Sequence, residues 1–128
     1  MITKEIHPDF ILSQKLRKKY LYVLVTGPKI DFDISNKLWN RIYSKVVELG
    51  INKVLVEEDF PNQLNTIEIF QTSEIIAKMF KGNVKIALVD QHQSNLNLNK
   101  FEETVAVNRG LLMKAFDNIT DGEKWLID

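Results

Sequence analysis

The segment from Val84 to Phe116 restricts the possible folds more than any other part of the chain, because two kinds of secondary structure alternate within it. It opens with the apolar run Val84 to Val89, interrupted only by Lys85, which suits a strand covered on both faces. A polar loop, a short helix and the apolar run Leu111 to Phe116 follow. This order predicts a parallel sheet.

Three regions nearer the N-terminus also have the patterns of strands. Tyr20 to Thr26 is apolar and β-branched and is closed by Gly27-Pro28, which predicts a central strand. Ile51 to Glu57 predicts a second core strand. Residues 1–16 carry apolar side chains at even spacings around the turn His7-Pro8-Asp9, and this pattern predicts a β-hairpin.

Helices are predicted between these strands. Apolar residues recur at helical spacing from Asp33 to Leu49, where Gly50 ends the pattern. A capping residue followed three positions later by Glu starts helices, and it occurs at Asn65 with Glu68, Asn99 with Glu102 and Thr120 with Glu123. We expect the first of these helices to stop at Gly82, and the second to run from Lys100 to about Asn108.

The predicted fold is therefore a single α/β domain over residues 1–128. It has a mixed sheet of about five or six strands with an N-terminal β-hairpin and about four helices packed on it. A chain of 128 residues is long enough to bury an independent core without a metal or a disulfide.

The composition excludes several functional classes. The chain has 17 basic and 17 acidic residues and a pI near 6.7, which argues against bulk DNA or RNA as a partner. Cysteine is absent, which excludes disulfides, thiolate metal sites and thiol nucleophiles. No apolar run approaches the roughly 20 residues that span a bilayer, and the N-terminal residues lack the apolar core of a signal peptide. We expect a soluble cytoplasmic protein.

Three consecutive carboxylates, Glu57, Glu58 and Asp59, lie at the C-terminal end of the second core strand. Ligands of open α/β sheets bind at this end of a strand, and carboxylate oxygens suit a cation such as Mg²⁺. Successive side chains of a strand point to opposite faces, however, so the three cannot converge without a sharp loop. We therefore predict no metal site and no cofactor.

Catalytic residues are not evident either. His7 and His92 are the only histidines, and neither has a visible orienting partner in the sequence. The strained turn of a serine nucleophile, the P-loop and the dinucleotide fingerprint are all missing. We expect the chain not to be an enzyme, and we expect the Asn- and Gln-rich segment Asp90 to Asn99 to be its most mobile loop.

Other polar and aromatic features each have two interpretations. The basic cluster Gln14 to Lys19 is either a site for an anionic partner or solvated hairpin charge, and the second is commoner. Trp39 and Tyr43 form either a ligand platform or, more commonly at this spacing, helix packing. Arg109 is either a structural helix cap, with Glu57 to Asp59 as one source of a carboxylate partner, or an anchor for an anion.

Four segments resemble the SpoIIAA-like (STAS/Sec14-like) family of small bacterial proteins: Glu57 to Pro61, Val84 to Asp90, Phe101 to Gly110 and Glu123 to Leu126. The most specific is Glu103-Thr104-Val105-Ala106-Val107-Asn108-Arg109-Gly110, followed by a strand and a terminal Trp-Leu helix. The resemblance covers nearly the whole chain. It implies a STAS-like domain, a fold better known for regulatory protein binding than for catalysis.

The resemblance also raises the question of a phosphorylation switch. In the anti-sigma-factor antagonists of the STAS group, a phosphorylatable serine lies in an Asp-Ser-Ser-Gly stretch that opens the helix after the corresponding strand. This chain has Asp59-Phe60-Pro61-Asn62 there, and the first serine beyond it is Ser73. Thr66 is the nearest hydroxyl at a helix start, although local helix structure also explains a threonine at that position.

These observations lead to two functional expectations. The first is a non-catalytic interaction or regulatory module of the STAS-like type that binds a protein partner. The alternative is a small-ligand protein or cryptic enzyme that binds an anion or lipid. The candidate binding residues are Arg109, Asp90, His92, Glu57 and Thr66. We also expect a homodimer, because the chain has many large apolar side chains for a domain that leaves some helix faces uncovered. These side chains are Trp39, Phe70, Phe80, Phe101, Phe116 and Trp125.

Overall fold

The computed structural model describes residues 2–128. Over this range six strands are formed, β1 (Thr3–Ile6), β2 (Ile11–Leu16), β3 (Leu21–Thr26), β4 (Lys53–Asp59), β5 (Lys85–Asp90) and β6 (Leu112–Phe116). The helices are α1 (Phe32–Leu49), α2 (Thr66–Phe80), α3 (Leu96–Asn108) and α4 (Ile119–Ile127), and a short 3₁₀ turn, Gln93–Asn95, precedes α3. No helix in this range is both long and apolar enough to cross a bilayer.

The six strands form one mixed sheet in the order β1-β2-β3-β4-β5-β6. β1, β2 and β3 pair antiparallel, whereas β3 to β6 are all parallel. The predicted α/β class, hairpin and parallel core are therefore confirmed. β3 lies inside the sheet between β2 and β4, as expected from its continuous apolar run.

One face of the sheet, which we call the inner face, packs against α1, α2 and α3. Its core includes Val23, Val56 and Leu88 from the strands together with Leu38 and Ile76 from the helices, all of them buried. The apolar stripes of the helices and the parallel strands thus meet in one cluster, as their periodicities require.

Trp39 and Tyr43 belong to this packing. The ring centroid of Phe80 lies 6.3 Å from that of Trp39 and 5.2 Å from that of Tyr43, and both pairs meet edge to face. This geometry is favourable for aromatic pairs. The interpretation of the two residues as packing groups on α1 is the one that their contacts support.

The opposite face, which we call the outer face, is only half covered. α4 packs on β4, β5 and β6, with Leu126 buried against Leu55 and Val89. A side chain at Gly122 would meet Val89 and Leu55 at 3.2 and 3.3 Å, so this glycine lets the helix lie close to the sheet. Within the described part of the chain, no helix packs on β1 or β2 on this side, and β3 is covered only in part, where Tyr22 packs against the cluster that contains Leu126.

Two of the three predicted helix caps are wrong. Asn65 does form the predicted capping box with Glu68. In contrast, α3 begins three residues before Asn99, which therefore lies inside the helix. α4 begins at Ile119, where Asn118 caps the helix by accepting a hydrogen bond from the backbone N–H of Asp121. A cap followed three positions later by Glu recurs by chance, and the tertiary contacts decide which copy is used.

The expected end of α2 also differs slightly. The helix ends at Phe80, and Lys81 is its C-cap in the left-handed conformation with φ of 52°. Gly82 follows, also with positive φ. The glycine was correctly identified as part of the stop, but the first left-handed residue is a lysine.

Candidate functional site

The polar residues singled out in the sequence lie mainly at the edge of the sheet formed by the carboxyl ends of β3, β4 and β5. Glu57, Glu58 and Asp59 are the last three residues of β4, and Asp90 is the last of β5. Because side chains alternate along a strand, Glu57 and Asp59 lie on the outer face and Glu58 lies on the inner face. The expected separation of the three carboxylates is therefore observed.

On the outer face, Asp59 is held by two hydrogen bonds. Thr26 Oγ1 donates to Asp59 Oδ2 at 2.9 Å, and His92 Nε2 lies 2.8 Å from Asp59 Oδ1. The bond from His92, followed by that from Thr26, keeps the pKa of Asp59 below its usual value despite partial burial. The expectation that His92 has no orienting partner is wrong, since a residue 33 positions away supplies one.

This arrangement does not have the order of contacts that a nucleophilic triad needs. In such a triad the hydroxyl donates to the imidazole, and the carboxylate orients the imidazole from its other side. Here the hydroxyl of Thr26 donates to the carboxylate of Asp59 itself. The imidazole of His92 therefore does not activate that hydroxyl.

Glu57, like Asp59, accepts hydrogen bonds from neighbouring side chains. The hydroxyl of Tyr22 donates to Glu57 Oε1, and the side-chain amide of Gln91 donates to Oε2 at 3.1 Å. Burial raises the pKa of Tyr22, and the hydrogen bond to Glu57 raises it further, so the phenol keeps its proton. The carboxylate of Glu57 is thus largely satisfied within the chain.

On the inner face, Asp90 anchors the segment that we expected to be mobile. Its Oδ2 accepts hydrogen bonds from the side-chain amides of Asn95 at 3.2 Å and Asn99 at 3.0 Å, and its Oδ1 accepts from the backbone N–H of His92 at 2.8 Å. Asn95 and Asn99 are both buried. The prediction of a loosely packed loop is therefore wrong, because these amides dock the start of α3 on Asp90.

Two further carboxyl groups lie beside Asp90 on the inner face. Glu58 and Glu102 are only 6% and 3% exposed, and their electrostatic neighbours are carboxyl groups. Burial, then Glu102 and then Asp90, raises the pKa of Glu58 well above its usual value. Burial and Asp90 raise the pKa of Glu102 to about 7. We call Glu58, Asp90 and Glu102 the inner carboxyl cluster.

A chain of amides connects this cluster. The side-chain amide of Gln63 donates to Asn99 Oδ1 at 2.5 Å and to Glu102 Oε1 at 3.4 Å. Asn99 in turn donates to Asp90. Among residues 2–128, no group of three or more His, Cys, Asp or Glu side chains has the arrangement of a metal site.

The inner carboxyl cluster and the amides that connect it form what we call the inner network. The sequence does not predict this network, and the reason can be identified. Asn95 and Asn99 are four positions apart and therefore share one side of a helix, but the Asn- and Gln-rich composition of the segment predicts a loop. Gln63 and Glu102 are separated by 39 positions, so only the packing of α3 beside the β4–α2 connection brings them together. The spacing of the two asparagines was the only local signal available.

The remaining candidates are divided between the two ends of the sheet. Thr66 is the first residue of α2 and is exposed, which places it on the same side as the carboxyl edge. Arg109 follows the C-terminal end of α3 instead. Its guanidinium lies 5.2 Å from the ring centroid of Phe70, and its Nη1 lies 3.5 Å from the carbonyl oxygen of Val105. The possible pairing of Arg109 with Glu57 to Asp59 is not observed.

Replacement of Arg109 with Ala is expected to lower the free energy of unfolding by about 0.5–1 kcal/mol, because an exposed cation over an aromatic ring contributes about that much. Denaturant unfolding of the wild type and of Arg109→Ala measures the loss. In a Phe70→Leu background the same replacement should have almost no effect. A loss that persists without the ring would show that Arg109 has a different structural partner.

The sequence was also compared with known proteins. Neither models of protein families nor the curated proteins give a match to this chain.

Proposed function

We propose that the chain is a non-catalytic interaction module of the STAS-like type and that it binds a protein partner. The resemblance to the SpoIIAA-like family supports this proposal, and so does the α/β architecture with its N-terminal hairpin. The hydrogen bonding at the carboxyl edge adds further support, because Glu57, Asp59 and Asp90 are bonded mainly to other groups of the chain.

The observation that carries the proposal is the uncovered half of the outer face. The strand register places Ile6 and Ile11 opposite each other on this face, with Leu24 and Thr26 on β3 beside them. Ile6 is 81% exposed, and Ile11 is exposed as well. An apolar group on an otherwise uncovered sheet face is typical of a protein-binding surface.

An anion at the carboxyl edge is less compatible with the geometry. Glu57, Glu58, Asp59 and Asp90 all lie there, whereas Arg109 contacts Phe70 away from them. A negatively charged ligand would meet like charges without a compensating guanidinium. The protein-binding proposal is therefore preferred over the anion-binding alternative.

Affinity capture from a lysate of the native organism, followed by quantitative mass spectrometry, tests the proposal. The replacement Ile6→Lys places a charge on the uncovered face and should abolish capture of the partner. Ile67→Lys is the matched control, because Ile67 is a 68% exposed isoleucine on α2. The proposal fails if no protein is enriched on the wild type relative to Ile6→Lys, or if both variants lose the protein equally.

A further inference from the structure

A groove of about 670 Å³ lies on the outer face, at the end of the sheet opposite the carboxyl edge. It runs between the turn that joins β2 to β3 and the last residues of α4, and four basic side chains line it: Lys15, Arg17, Lys18 and Lys19. Tyr20, Glu123 and Ile127 complete the lining. We call this feature the basic groove.

The positive charge of the basic groove is not neutralised within the described chain. None of its four basic side chains comes within 4.0 Å of a carboxylate among residues 2–128. Glu123 is the single acidic lining residue, and it accepts a hydrogen bond from the hydroxyl of Tyr20 at 2.5 Å. A surplus of positive charge therefore faces the groove, although the chain as a whole has a formal net charge of zero.

One of the four cations is fixed in position. Arg17 Nη1 donates to the hydroxyl of Tyr20 at 3.2 Å, and the guanidinium lies 4.4 Å from the ring centroid of Tyr22. Stacking on an aromatic ring and a hydrogen bond reduce the conformational entropy that Arg17 would lose on binding. Lys15, Lys18 and Lys19 remain available for ion pairs around it.

We propose that the basic groove binds an acidic peptide segment of the protein partner, with an apolar side chain of that segment seated against the exposed side chain of Ile127. This inference rests on the proposed protein-binding function and names the partner's chemistry. The groove adjoins the uncovered strands, since Lys15 lies on the same face as Ile11 of β2. A partner seated on that face reaches the groove without crossing a helix.

The shape and lining favour a peptide over a compact phosphate group or a membrane. Phosphate sites commonly use the N-terminus of a helix, but the helix end beside Ile127 is the C-terminus of α4, where the dipole is negative. A lipid surface commonly binds an amphipathic helix that combines an apolar face with basic residues. Here the basic groups lie on β2 and on the turn that follows it, and they surround a concave space.

Fluorescence anisotropy with two labelled synthetic peptides tests the inference on the intact chain. One peptide consists of Glu and Leu, and the other has Gln in place of every Glu. The wild type should prefer the acidic peptide, and Lys18→Glu with Lys19→Glu should weaken that binding at least about tenfold. Lys29→Glu with Lys81→Glu makes the same change of charge at exposed lysines outside the groove and should leave binding unchanged.

Circular dichroism verifies that each variant is folded. If Lys18→Glu with Lys19→Glu does not fold, the milder variant Lys18→Gln with Lys19→Gln is used in its place. Equal binding of the two peptides, or equal losses in the groove and control variants, would overturn the inference. The inference would also be overturned, in favour of a membrane, if the protein binds neither peptide but sediments together with phosphatidylserine vesicles. A failure here leaves the capture result with Ile6→Lys intact, so the two proposals fail separately.

Discussion

Replacement of Glu58 with Gln is expected to raise the free energy of unfolding at pH 9 by roughly 2 kcal/mol or more, and to change it much less at pH 5. Glu58 is buried beside Asp90 and Glu102, and the residues that shift its pKa are all acidic. At high pH the folded chain must therefore hold like charges together in a poorly solvated space. Glutamine has nearly the same shape and removes one of these charges.

The sign of the effect follows from proton binding. Glu58 and Glu102 have raised pKa values in the folded chain, so the folded chain holds protons that the unfolded chain has released. Stability should therefore fall as the pH rises from about 4.5, the usual pKa of Glu, through the raised pKa values of the two groups, which for Glu102 is about 7.

Glu5 acts in the opposite direction. A hydrogen bond from Arg41 is the main cause that lowers the pKa of Glu5 to about 2, so the contribution of Glu5 to stability is lost as the pH falls below about 4.5.

The wild type should thus be most stable near pH 5. Denaturant unfolding across pH measures this profile, and Glu74→Gln, at an exposed position on α2, is the control. A loss of stability in Glu58→Gln at pH 9 would show that the carboxylate has a favourable partner.

Replacement of Asn99 with Ala is expected to lower the free energy of unfolding by roughly 2–3 kcal/mol, because a buried carboxylate and a half-buried amide lose a hydrogen-bond partner. Asn99 is 3% exposed, donates to Asp90 and accepts from Gln63. Its removal leaves the buried carboxylate of Asp90 and the half-buried amide of Gln63 without these contacts. The docking of α3 at the carboxyl edge should weaken at the same time.

Asn97 provides a matched control for this experiment. It lies in the same helix two positions earlier and is exposed. Asn97→Ala should therefore change the free energy of unfolding by no more than about 0.5 kcal/mol. If the two replacements have equal effects in thermal or denaturant unfolding, the inner network does not stabilise the fold as described.

Most of the fold was predictable because its signals are local. The apolar runs of β3 and β5, the helical spacing of α1 and the left-handed Gly50 after it each act within a few residues. The start of α3 was not predictable in this way. It depends on the hydrogen bonds that the side-chain amides of Asn95 and Asn99 donate to Asp90. A polar segment that packs through such bonds has the same local sequence pattern as one that stays in solvent.

The candidate site was predictable only in part. Alternation along β4 correctly separated Glu57 and Asp59 from Glu58, since it depends on strand geometry alone. The pairing of His92 with Asp59 depends instead on the register of β4 with its neighbours and on the path of the chain after β5. The single-sequence patterns contain no information about that register.

The central claim is that the uncovered outer face binds the partner. Methyl NMR spectra of the isoleucine-labelled chain, recorded alone and saturated with the captured partner, test it directly. We expect the δ1-methyl signals of Ile6 and Ile11 to shift or broaden, whereas those of Ile67 and Ile75 on α2 stay unchanged. Changes at Ile67 and Ile75 without changes at Ile6 and Ile11 would contradict the claim.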